Sequence, residues 1–179
     1  AGSRDELPGK WGLAHFVEHT IFKGTRRRRA WHIINRMERV GGELNAYTTK
    51  EETMVYSIFP REHFARATEL IADLVANSQF PAAELAKERE VVLDEVDSYL
   101  DSPSEAIYDD FEDLIWQGSP LGHNILGVEA DLLTITGDDC RDYLDRLYVP
   151  ENMVFFALGN MRHDVVARTA ERYLGALNH

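Results

Sequence analysis

The sequence has a single cysteine, Cys140, so no disulfide can form within the chain. Its fold must be held by burial and hydrogen bonding, and a reducing compartment suits it. Uninterrupted apolar runs of about 18 residues, the length of a membrane-spanning helix, are missing too. Basic residues are scarce: 19 Lys and Arg stand against 31 Asp and Glu, a formal net charge of −12. That balance argues against nucleic acid, because neutralising phosphates needs an excess of Lys and Arg. Peptides of basic or mixed charge suit it better. Ala1 to Glu6 contain neither Met nor the apolar stretch of a signal peptide. The expectation is a stretch cut from a longer chain, residues 1–179 forming one domain, from a bacterial cytoplasm or an organelle matrix, with no membrane partner.

What is present is ordinary globular material: 179 residues, 44% hydrophobic and 28% charged, enough for a core without covalent staples. From Gly12 to about Lys23, Leu13, Phe16, Val17, Thr20 and Ile21 recur at helical spacing, and Gly24 stops the run. Arg26 to Arg29 read as the solvated start of a helix from about Trp31 to Val40, ended by Gly41-Gly42. Leu44 to Phe59 changes to strand character, with Lys50-Glu51-Glu52 as the turn of a hairpin. An amphipathic helix follows from Arg61 to about Ser78, then a long one from Pro81 to Leu100, then one from Ser104 to Trp116. Gly118 to Gly127 is a glycine-rich loop. Thr136 with Asp139 is a capping pair for a helix to Leu147. Met153 to Leu158 reads as a short apolar strand, and His163 to Leu174 as a last helix. Without regular βαβ alternation, this order predicts an α+β fold: a mostly antiparallel sheet with helices packed on one face.

One helix carries a chemical pattern, His15-Phe16-Val17-Glu18-His19. At about 100° per residue, His15, Glu18 and His19 share one arc of about 100°. Two imidazoles one turn apart can bind one metal ion, and a carboxylate beside them can take a proton from water. Catalytic zinc normally has three protein ligands. The helix from Pro81 offers Glu84, Glu88, Glu90, Asp94, Glu95 and Asp97. Glu88 and Glu95 are seven apart and lie within about 20° on one face, so one could ligate while the other orients a ligand. The residues alone leave a plainer reading open: two surface histidines, and acids that form the solvated face of a helix. His32, His63, His163 and His179 lie outside the pattern and read as surface residues, as does His123 in its loop. Cys140 reads as a semi-buried helix residue.

Longer blocks carry a resemblance. They are Gly2-Ser3-Arg4-Asp5-Glu6, Gly12 to His19, Phe22-Lys23-Gly24-Thr25, Gly41 to Thr48, Lys87 to Glu95, Pro120-Leu121-Gly122, Gly127 and Tyr148 to Met153. In this order they resemble the pitrilysin family of zinc peptidases, which includes insulin-degrading enzyme and the mitochondrial processing peptidase. The resemblance implies a metalloendopeptidase domain of the family's N-terminal catalytic type, lacking its usual first strands. It implies one Zn²⁺ per chain held by His15, His19 and Glu95, Glu18 as general base on a zinc-bound water, and Glu88 as a supporting acid. It implies that Asn45, Ala46 and Tyr47 pair with a peptide substrate, and that a second homologous half or subunit completes the chamber.

Two alternatives stand beside it. One is a non-catalytic subunit of the same fold that binds zinc and needs a second half for activity. The other is S-ribosylhomocysteine lyase, which also uses an H-x-x-E-H helix but needs cysteine as a metal ligand and a second cysteine for acid–base work; Cys140 alone does not suffice.

Overall fold

The computed structural model describes residues 1–177; His179 lies outside them. Helices dominate: α1 (Leu13–Thr20), α2 (Ala30–Glu38), α3 (Phe64–Asn77), α4 (Ala82–Leu100), α5 (Pro103–Ile115), α6 (Glu129–Leu132), α7 (Gly137–Leu147) and α8 (His163–Leu174). A 3₁₀ turn, Ile21–Lys23, continues α1. The strands are β1 (Glu43–Thr48) and β2 (Thr53–Ile58), an antiparallel pair in the register Glu43↔Ile58 to Thr48↔Thr53. The class is α+β, as the order of elements predicts.

Two clusters of buried side chains form the core, and α1 with its 3₁₀ extension reaches both. Leu13, Ala14, Phe16 and Val17 of α1 pack with Leu85 and Val92 of α4 and with Cys140, Tyr143 and Leu144 of α7. Ile21 joins Ile33 and Met37 of α2 and Ala67, Leu70 and Leu74 of α3, with Leu44 and Val55 of the hairpin against them. α1 is thus wrapped on several sides, and six of its eight residues, His15 and Thr20 among them, are buried. Cys140 is fully buried rather than semi-buried, a wall of the first cluster.

Two expectations are corrected. Met153 to Leu158 is not a strand: among the described residues it pairs with nothing, and Val154, Phe156 and Leu158 are exposed. A strand needs a neighbour at about 4.8 Å to satisfy its backbone, and an apolar sequence alone does not supply one. The sheet is accordingly a two-stranded hairpin among these residues, not a broad layer. Nor is the Arg26–Arg29 run uniformly solvated. Arg28 is half-buried, donates to both oxygens of Glu69 at 2.7 and 3.0 Å and pairs with the buried Asp73. Arg36 reaches the same Glu69 at 2.6 Å. Two acids on α3, one turn apart, draw that guanidinium inward.

The capping pair of α7 is as read: Thr136 Oγ1 accepts from the Asp139 amide, and Asp139 accepts from the Thr136 amide at 2.7 Å. Lys10 Nζ adds a contact of 3.0 Å to Asp139. Partial burial pushes the Asp139 carboxyl upward, but bonds from Thr136 and Lys10 outweigh it and hold it below the usual carboxylate range. Its folded value therefore lies under its unfolded one, so its stabilisation is present above about pH 3.9 and is lost as pH falls further. Asp139→Asn should cost about 1 kcal/mol at pH 7, measured by urea unfolding, and the gap to wild type should shrink below that pH.

Candidate metal centre

The N-terminus of α1 is fixed by a buried carboxylate. Glu6 has no exposed side-chain surface and accepts from the Gly12 amide at 2.9 Å, the Ala14 amide at 2.7 Å and His123 Nε2 at 3.0 Å. An acid at a helix N-terminus meets unpaired amides and the positive end of the dipole. Burial raises the Glu6 pKa, and the bonds from His123, Ala14 and Gly12 oppose that rise. His123 stacks on Trp11 with ring centroids 4.1 Å apart, so this loop histidine is half-buried and structural, not a surface residue. Gly12 sits at φ 93°, and a Cβ there would meet the Leu126 carbonyl at 2.6 Å; one on Gly127 would meet the Trp11 carbonyl at 2.2 Å. Two backbones cross here with no room for side chains.

So anchored, α1 runs antiparallel to α4. The contacts give the direction: His15 meets Glu95, His19 meets both Glu95 and Glu88, and Lys23 meets Glu88. The Glu95 Oε2 atom lies 3.7 Å from His15 Nε2 and 3.5 Å from His19 Nε2. One ligand atom from each of these three residues falls within 4.8 Å of the other two. His15 and His19 stand with ring centroids 4.5 Å apart. A neutral nitrogen from each imidazole and one carboxylate oxygen, converging from two helices, make a donor set that fits zinc.

The surroundings suit metal binding. Burial, then the neighbouring His19, lowers the His15 pKa to about 4, which keeps it neutral as a ligand must be. Its Nδ1 is buried without a partner, and its Nε2 faces the carboxylate. Glu95 is exposed on the rim. Glu88 approaches His19 from the other side, with Oε2 3.5 Å from Nδ1. Glu18, one residue before His19, is half-buried; burial raises its pKa, against hydrogen bonds from Thr48 and the charge of His19.

Glu88, Glu95, His15, Glu18 and His19 are therefore gathered in one place. The expected substrate strand lies beside them: β1 packs on α1, with Thr48 at Glu18. Asn45 and Tyr47 are exposed, and Ala46 is half-buried on the opposite face. Thr48, Glu6 and Lys23 acquire local roles that motif reasoning did not assign. Period-two alternation puts Thr48 on the Ala46 side, but nothing in the sequence says that this side meets Glu18. Cys140 stays out of the group, inside the first core cluster among apolar side chains, and so supplies none of these ligand atoms; burial pushes its thiol up to about 12.

Comparisons with known proteins bear on this geometry. The sequence model of the insulinase peptidase family, M16, matches residues 1–129, and that of the M16 inactive domain matches residues 134–179. An uncharacterized zinc protease of Rickettsia bellii is 38% identical over 98% of this chain and 43% of its own length. The mitochondrial-processing peptidase subunit beta of Caenorhabditis elegans is 34% identical over all of this chain and 39% of its own. Among solved structures, a protease from Helicobacter pylori superposes with a TM-score of 0.93 at 26% identity, over the whole of this chain and 43% of that one. The periplasmic protease PqqL of Escherichia coli, at 23% identity, shares the fold, with a TM-score of 0.89 over 99% of this chain and 20% of that one. The chain thus spans about two fifths of the length of the curated relatives cited.

The Glu6 anchor has a measurable weight. Glu6→Ala should lower the unfolding free energy by about 3 kcal/mol, since each stranded buried amide costs about 1–3 kcal/mol. A shift of the urea midpoint at constant slope would register it.

Proposed function

The chain belongs to the insulinase family of peptidases, M16, and on that premise we propose that it is the metal-holding part of a zinc-dependent metalloendopeptidase acting on peptides or unfolded polypeptides. The observation that carries this reading is the convergence of His15, His19 and Glu95 ligand atoms within 4.8 Å, with Glu18 on the same helix.

His15, His19 and Glu95 would hold one Zn²⁺. When bound, zinc supplies Lewis acidity, lowering the pKa of water and polarising a carbonyl. Glu18 accepts the proton of the attacking water and returns it to the departing amine, so the peptide bond is replaced by a carboxylate and a free amine. Burial raises its proton affinity, as accepting a proton requires, against the opposing influence of Thr48 and His19. Thr48 of β1 stands beside the Glu18 carboxylate and so places that base next to the strand. The outer edge of β1 has no strand partner among the described residues, and a substrate segment could add there through main-chain hydrogen bonds along Asn45, Ala46 and Tyr47. That mode tolerates varied side chains, as a peptidase of unfolded chains needs.

The exposure of Glu95 supports a further element of the proposal. A centre open on one side admits bulk water and weakens every electrostatic interaction in it. A second homologous half, in the same polypeptide or in a partner subunit, would close it. The span of this chain, about two fifths of its relatives, agrees with that arrangement. A bacterial cytoplasm or an organelle matrix is the proposed setting.

Purified wild-type chain should bind about one zinc, and Glu95→Gln should sharply reduce the amount retained, by elemental analysis after dialysis. In the assembly that carries the second half, Glu18→Gln should keep the zinc and lose turnover by at least about 10²-fold. Equal zinc in wild type and Glu95→Gln would remove the three-ligand assignment, and undiminished turnover in Glu18→Gln would remove the base.

A further inference from the structure

Resting on the zinc reading above, we infer that Lys23 is a positioning residue of the metal centre: its ammonium holds one oxygen of Glu88 so that the other orients the His19 ring.

The geometry is a row of side chains matched to another. His15, His19 and Lys23 follow one another at intervals of four along α1 and its 3₁₀ extension, so they line one face. Glu95 and Glu88, two turns apart on antiparallel α4, face them in reverse order. Glu95 addresses the Nε2 atoms of both histidines. Glu88 works from behind: its Oε2 is 3.5 Å from His19 Nδ1, and its Oε1 is 2.7 Å from Lys23 Nζ.

That division of one carboxylate between two partners has a consequence. A proton on Nδ1 directed at Glu88 leaves the Nε2 lone pair of His19 free for the metal and fixes the ring plane. The acid can do this only if it does not rotate. Glu88 is largely buried, at 13% side-chain exposure, so few other groups can reach it. The 2.7 Å contact with Lys23 ties down Oε1 and so fixes where Oε2 stands against the His19 ring. His15 gives the contrast: its Nδ1 is buried with no partner. Of the two imidazoles, His19 is the one whose Nδ1 faces an acid, and Lys23 is the origin of that chain.

A structural salt bridge would also join α1 to α4, so the test must read the metal. Zinc dissociation constants would be measured by chelator competition for wild type, Lys23→Met, Lys23→Arg, Glu88→Gln and the Lys23→Met/Glu88→Gln double variant, with circular dichroism to establish that each is folded. We expect Lys23→Met to weaken zinc binding about tenfold. Lys23→Arg, which keeps the charge, should restore most of it. In the Glu88→Gln background, Lys23→Met should have no further effect, because the two act through one carboxylate. Wild-type affinity in folded Lys23→Met would overturn the inference while leaving the metal centre intact. So would a full additional loss in the double variant, which would mean that Lys23 acts elsewhere. Absence of zinc from the wild type would overturn the metal reading itself, a result distinguishable from both.

Discussion

Everything in the candidate centre depends on the antiparallel seating of α1 against α4. The two histidines and the acid that meets them are far apart in the chain, and a metal site tolerates little error in where its donors stand. Burial of Phe16 and Val17 beside Leu85 and Val92 fixes that seating. The same packing that excludes water from one face of α1 presents His15, His19 and Lys23 from another. Core and centre are therefore not separable layers: α1 is too short, at eight residues, to be stable by itself, and it persists because it is surrounded.

A buried acid does the complementary work at the end of the same helix. Glu6 is costly to bury, yet it satisfies two amides and a histidine at once. Because His123 belongs to the glycine-rich loop and Glu6 to the first turn, this one carboxylate ties together segments more than a hundred positions apart. The crossing of Gly12 and Gly127, where neither position has room for a Cβ, reinforces the tie sterically. Loops that would otherwise be free to drift thus determine the angle at which α1 enters the core.

Much of this was legible in the sequence, for identifiable reasons. Helices announced themselves by periodicity, the hairpin by β-branched and aromatic residues around a polar turn, and α7 by its Thr136–Asp139 pair. The grouping of His15, Glu18 and His19 followed from helical geometry alone. Choosing Glu95 over its acidic neighbours on α4 did not, since several acids share that helix and the choice depends on how α1 docks. Partnerships such as Glu6 with His123 or Thr48 with Glu18 join residues whose local patterns are silent about each other. The Met153–Leu158 segment failed for a related reason: strand propensity describes a residue's fit to a neighbour, and the neighbour is a tertiary fact. Arg28 shows the same in charge, a residue of a solvent-like run captured by Glu69 and Asp73.

That extended segment has practical weight. Val154, Phe155, Phe156 and Leu158 all present substantial surface, in a stretch of high β-propensity that carries no charge. This is the composition that nucleates ordered stacking between identical chains. Left uncovered, such a stretch favours association between copies of the polypeptide. Sulfate or phosphate buffers, which strengthen apolar association, would hasten clouding, and dilute storage would slow it.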